Sequence, residues 1–172
     1  EEEEKEKQEH VKDIFVIDNA SSDKTVEIAK KCGVKVILKK TNKGLADSIF
    51  LGLFEFMKTD SNIVVITECD GTFSGSDLAK MIPHLDNCDM TIGTRLVQVL
   101  TEKGNQNSMF YVWGNNLLAK LIQIKYFSLV NLGIVQLTDV GCVYRCIRRD
   151  ALEKIINSFN SPDAKKILKN TN

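Results

Sequence analysis

From Asp13 onward the chain alternates short apolar runs with amphipathic stretches of helical period, the pattern of strands and helices taken in turn. Residues 14–17 read as a strand ending at Asp18-Asn19. Residues 23–31 read as a helix with Ser22 or Asp23 at its cap and Gly33 as its stop. A strand over 34–38 and a longer helix over 44–57, apolar on one face, come next. The β-branched run 63–67 predicts a strand buried on both faces. A short helix near 76–85, a strand over 89–93 and a mostly helical stretch over 107–127 follow. The last elements are a strand over 142–147 and a helix from a cap at Asp150 to about residue 159. Strands alternating with helices imply βαβ units and a largely parallel sheet covered on both faces. Right-handed crossovers would then bring the loops after Ile17, Leu38, Thr67 and Ile92 to one edge.

Outside this pattern the chain is polar. Residues 1–12 form a charged leader and 161–172 a polar tail, leaving a single domain over 13–160. Hydrophobic residues make up 43% and charged residues 27%, as in ordinary globular proteins, and 172 residues suffice for one sizeable core. A net charge of zero gives no sign of a nucleic-acid partner. The five cysteines are scattered and odd in number, which fits a reduced, cytoplasmic protein better than a disulfide scaffold. Cys142 and Cys146 have C-x₃-C spacing, but no second Cys or His pair completes a zinc site.

The strand at 63–67 runs into Glu68-Cys69-Asp70-Gly71. A buried strand cannot hide carboxylates cheaply, so Glu68 and Asp70 belong at its carboxyl end, where an open α/β sheet has its ligand crevice. In extended chain, residues two apart share a side, and two carboxylates there suit Mg²⁺ or Mn²⁺. The competing reading is an acidic turn that merely ends a strand.

Several segments in order resemble family 2 glycosyltransferases of the GT-A fold, in their dolichyl-phosphate mannosyltransferase-like branch. Asp18-Asn19-Ala20-Ser21-Ser22-Asp23-Lys24-Thr25 resembles D-[DN]-G-S-x-D-x-T, and Asn42-Lys43-Gly44 with Ala46 resembles the N-x-G-x-x-x-A loop. Glu68-Cys69-Asp70 is similar to the D-x-D element, and Ile92-Gly93-Thr94-Arg95 to I-G-[ST]-R. The stretch from Asp139 through Gly141, Cys142 and Tyr144 to Arg145 is similar to D-x-x-[CS]-G-[FY]-[RK]. The resemblance covers roughly residues 13–157. It implies a three-layer α/β/α sandwich and inverting transfer of a sugar from a GDP- or UDP-sugar donor. Asp18 would contact the base or ribose, with Asp23 beside it, and Lys43 and Gly44 would help hold the donor phosphates. Glu68 and Asp70 would bind the divalent metal. Arg95 would reach a phosphate, Asp139 would lie near the acceptor, and Arg145 or Arg148 would clamp an acceptor phosphate.

A polyprenyl phosphate acceptor is already anionic and needs positioning more than a base; a saccharide hydroxyl needs a base, for which Asp139 is the candidate. Residues 109–137 interleave Phe110, Trp113, Leu117, Leu121 and Tyr126 with Lys120 and Lys125. That composition is compatible with peripheral contact at the cytoplasmic face of a membrane, or equally with a core-facing helix. The chain departs from the family pattern in four ways. It has no opening strand of the P-x-[YF]-N-E type, so it is expected to lack the first βα unit. Glu68 stands at the first D-x-D position, Ala20 replaces a glycine, and Thr72 stands where relatives often carry another polar ligand. Rival readings are a non-catalytic nucleotide-sugar-binding domain and a nucleotidyltransferase, the latter lacking its glycine-rich loop.

Overall fold

A computed structural model describes residues 11–94, 109–127 and 137–159. The expected tail and nearly all of the leader lie outside them, as does Arg95. The chain divides into two compact units, Glu1–Val64 and Val65–Asn172, so the segment read as one domain contains both.

The first unit holds β1 (Phe15–Asp18), α1 (Thr25–Lys31), β2 (Lys35–Leu38) and α2 (Leu45–Met57). β1 and β2 pair in parallel, with Phe15 opposite Lys35 and Asp18 opposite Leu38, as a βαβ unit requires. α1 carries a Glu27–Lys31 pair one turn apart at 2.7 Å and gives way to Gly33 at φ +75°, a backbone state that glycine enters without strain. α2 starts at Gly44 (φ +87°, ψ 172°), a conformation nearly restricted to glycine. About two turns further, α2 lies directly on β1: a β-carbon at Gly52 would sit 3.5 Å from the Ile17 side chain, an ordinary packing distance.

β3 (Ile63–Ile66) contains the division between the units. Beyond it come α3 (Leu78–Met81) between two 3₁₀ turns, Gly75–Asp77 and Ile82–Asp86, then β4 (Met90–Ile92), α4 (Met109–Lys125), β5 (Arg145–Arg148) and α5 (Arg149–Phe159). Pro83 explains why the expected helix near 76–85 is broken: it has no N–H for an α-helical bond and tightens the chain into a 3₁₀ turn. The second sheet has the order β3–β5–β4. β5 runs antiparallel to β4, pairing Met90 with Ile147 and Ile92 with Arg145, so the α/β architecture is as expected but not parallel throughout. An antiparallel strand on an otherwise parallel α/β sheet is common. One correction concerns Asp150: helix α5 begins at Arg149 directly after the strand, so Asp150 sits in its first turn, where its charge complements the helix dipole.

The buried apolar residues lie mainly in the second unit: Leu85, Ala119, Cys142, Tyr144, Cys146, Ile147, Ala151 and Leu152. Phe56 is their counterpart in the first. All five cysteines are free thiols, Cys142 and Cys146 buried and the other three exposed.

Candidate functional site

In the first unit, parallel pairing carries the loops after β1 and β2 to the same edge, as the sequence implies. Asp18 ends β1 with its side chain buried (5% exposed), and both carboxylate oxygens accept from the Ser21 amide at 3.3 Å. That turn passes through Ala20 at φ +64°, the position where the family motif has glycine. The left-handed region costs a residue with a β-carbon about 1–2 kcal/mol, so this chain retains the turn at the expense of strain.

Two asparagines join the loops. Asn19 Nδ2 donates to Asn42 Oδ1 at 2.7 Å, Asn19 Oδ1 accepts from the Lys43 amide at 3.3 Å, and Asn42 Oδ1 also accepts from the Gly44 amide at 2.9 Å. Neither asparagine was assigned a role from sequence, although each stands at a strand's carboxyl-side loop, which is the signal that could have found them. Lys43 is exposed at the start of α2. Asp47, one turn into the helix, has its carboxyl held below the ordinary value, first by a hydrogen bond from Lys39 and then by the charges of Lys39 and Lys43. Asp23 is exposed and accepts from the Thr25 amide at 2.9 Å, and a hydrogen bond from the Thr25 side chain, then this one, hold its carboxyl below the ordinary value. It therefore acts as the turn residue that starts α1.

In the second unit β3 stops at Ile66, so Glu68 and Asp70 fall on a loop and strand alternation does not set their sides. A turn sets Asp70 instead: its Oδ1 accepts from the Thr72 amide at 2.9 Å across Gly71, whose φ is +79°. Asp70 is exposed and Glu68 half-buried. Among the described residues no cluster of three or more Asp, Glu, His or Cys could hold a metal. Two neighbouring carboxylates nonetheless form a donor set of the right chemistry for Mg²⁺ or Mn²⁺, whose remaining places are filled by water and substrate phosphate.

The antiparallel course of β5 brings further loops to this acidic turn. Tyr144 reaches the chain just past Asp70: its hydroxyl donates to the Ser74 carbonyl at 3.1 Å and its ring meets Phe73 at 5.0 Å between centroids. Burial pushes the Tyr144 phenol up to about 12, with Cys146 and Asp77 adding to the shift, so the hydroxyl remains a donor. Thr138 Oγ1 donates to Thr94 Oγ1 at 3.0 Å, joining the loop before β5 to the loop after β4. Beside it, Gly93 packs closely on the other loop: a β-carbon there would lie 3.4 Å from both Cys142 Sγ and Tyr144 Cβ, at the edge of ordinary contact.

Asp139 is almost wholly buried (1% exposed). Arg145 braces its loop, donating from Nε to the Cys142 carbonyl at 3.0 Å and from Nη2 to the Val140 carbonyl at 3.2 Å. Arg148 forks onto Asp150, Nε to Oδ1 at 3.0 Å and Nη2 to Oδ2 at 3.1 Å. The hydrogen bond and the opposite charge raise the arginine's pKa and lower the carboxyl's. Both guanidinium groups thus contact the chain itself. In the second unit Tyr144 meets the chain that follows Asp70, and Thr138, next to Asp139, meets Thr94; the first unit gathers Asp18, Asn19, Asn42, Lys43 and Gly44.

Glycosyl transferase family 2 matches the chain over residues 5–156, and the chain belongs to that family. It is 26% identical over 149 residues to the polyprenol monophosphomannose synthase of Mycolicibacterium smegmatis, covering 83% of this chain and 53% of that protein. It is also 34% identical over 93 residues to an uncharacterized protein of Methanocaldococcus jannaschii, covering 53% of this chain and 38% of that protein. The chain therefore spans about half or less of the length of these curated relatives.

Proposed function

We propose that the protein transfers a sugar from a GDP- or UDP-sugar to a polyprenyl phosphate, with inversion at the anomeric carbon. The family match along nearly the whole chain, joined to the likeness to a polyprenol monophosphomannose synthase, is the observation that carries this reading. Asp18, buried and pinned by its own turn, accepts hydrogen bonds from the donor's base or ribose. Lys43 and the Gly44 loop face the diphosphate with positive charge and backbone donors. Glu68 and Asp70 would hold Mg²⁺ or Mn²⁺, which when bound supplies Lewis-acid relief of the charge on the departing nucleoside diphosphate. The Asp70 carboxylate keeps a fixed orientation through the Thr72 amide, so it needs little reorganisation on loading.

Burial of Asp139 favours a phosphate acceptor over a sugar hydroxyl. A hydroxyl must meet a base within hydrogen-bond reach, whereas a phosphate oxygen already carries the attacking charge. On this reading Arg145 acts by holding the Asp139 loop in place.

The test is to incubate the protein with radiolabelled nucleotide sugars, short polyprenyl phosphates and Mg²⁺ or Mn²⁺. The expected result is a lipid-linked product whose rate falls by roughly a hundredfold or more in Asp70→Ala, the scale for removing a preorganised electrostatic group. A folded protein that yields no lipid-linked product with any donor, but glycosylates a saccharide or only binds nucleotide, overturns the proposal.

A further inference from the structure

Lys39 carries its charge where lysines seldom do. A lysine ordinarily keeps its ammonium in water even where its stem is covered, but the Lys39 side chain is only 7% exposed. Lys12, Lys31, Lys58 and Lys80, which also form ion pairs, keep their side chains 60% or more exposed. Lys39 follows β2 directly, and its amide donates to the Asp18 carbonyl at 3.0 Å, which fixes its backbone to the sheet beside Asp18. Its Nζ lies 2.6 Å from Asp47 Oδ2 and donates to Ser48 Oγ at 3.1 Å. Ser48, itself buried, passes the link on, its hydroxyl donating to the Gly44 carbonyl at 3.3 Å. Gly44 is therefore held on both sides, at its amide by Asn42 Oδ1 and at its carbonyl by Ser48. Asp47 stands in the first turn of α2, its side chain 46% exposed, within the field of both Lys39 and Lys43.

Stability alone is a weak reason for a hidden ammonium. Desolvating the cation offsets much of the attraction, and apolar residues of similar volume often serve as well. Geometry is the stronger reason. A glycine at the start of a helix has many backbone states to visit, so a loop built on Gly44 needs a brace from outside itself. We propose that Lys39 is the positioning residue of the donor-phosphate loop: it fastens the first turn of α2 to the end of β2 through Ser48 and Asp47, and it screens the Asp47 charge from the donor. A loop braced in this way loses little freedom when a diphosphate arrives. An unscreened carboxylate one turn into the helix would repel that diphosphate as a like charge. This role presupposes that Lys43 and Gly44 hold the donor diphosphate, and it is independent of the acceptor.

The test measures binding of radiolabelled GDP and UDP with Mg²⁺, and of guanosine and uridine, by equilibrium dialysis. The wild type should bind one of the diphosphates more tightly than the matching nucleoside. Lys39→Met should weaken that diphosphate by roughly tenfold or more and change nucleoside binding by less than about twofold. Ser48→Ala breaks the link to Gly44 without altering charge and should weaken the diphosphate by about threefold. Asp47→Asn keeps an acceptor for Lys39 but removes a negative charge beside Lys43, and should tighten the diphosphate by about twofold. A pair that only held the fold together would behave differently: losing either partner would weaken both ligands alike. The proposal is overturned if Lys39→Met, folded by far-UV circular dichroism, binds the diphosphate as the wild type does, or if diphosphate and nucleoside weaken together. It is equally overturned if Asp47→Asn weakens the diphosphate as Lys39→Met does. Should Lys39→Met not fold, an unchanged diphosphate affinity in Ser48→Ala overturns it. A wild type that prefers neither diphosphate to its nucleoside overturns the role of Lys43 and Gly44 as well, whereas a wild type that binds and variants that match it overturn the role of Lys39 alone.

Discussion

At the scale of single residues, the left-handed Ala20 and the buried Tyr144 each lead to an expected outcome. Ala20→Gly removes the strain of a β-carbon at φ +64° and should stabilise the first unit by about 1 kcal/mol, read as a higher urea midpoint. Tyr144→Phe keeps the ring against Phe73 but loses the bond to the Ser74 carbonyl, and should cost about 0.5–1.5 kcal/mol. The phenol's pKa rises from 10.0 to about 12 on folding, so the folded state binds the extra proton in between. Its stabilising contribution is complete below pH 10 and is lost as pH rises from there towards 12, a decline that Tyr144→Phe should lack in alkaline unfolding curves. The placement of Asp18 at the end of β1 and of Glu68 and Asp70 past the end of β3 was legible from sequence, because a carboxylate after an apolar run has few places to go. The occupations of Arg145 and Arg148 were not legible, since a guanidinium serves a phosphate, a carboxylate or a backbone carbonyl equally well and only the fold decides among them.

At the scale of elements, hydrophobic period located every strand and helix among the described residues to within a few positions, because each apolar run must be covered. It failed where the decisive force was not periodic. Pro83 broke one helix into turns, the strand before Asp70 ended at Ile66, and no local signal told β5 to run antiparallel to β4. The start of α2 is a further case of backbone overruling pattern. Gly44→Ala forces a β-carbon into a nearly glycine-only conformation and should destabilise the first unit by about 1–3 kcal/mol, measured by urea unfolding. The same change should loosen the Asn42 bond to that amide, which hydrogen exchange at residue 44 would register as lost protection.

At the scale of the whole molecule, the uneven distribution of buried residues sets where the chain opens first. Most of the buried apolar side chains gather on and around β5 and α5, while α1 has none. Native-state hydrogen exchange should therefore find β5 and the first turns of α5 slowest, and α1 fastest. Equal protection in both would contradict this distribution. The Asn19–Asn42 bridge ties together two places far apart in the chain. Because the bridge is open to solvent, water takes over from whichever amide is lost. Either asparagine can therefore be replaced without leaving a buried group unpaired, and the joint between the two loops slackens instead of breaking the fold.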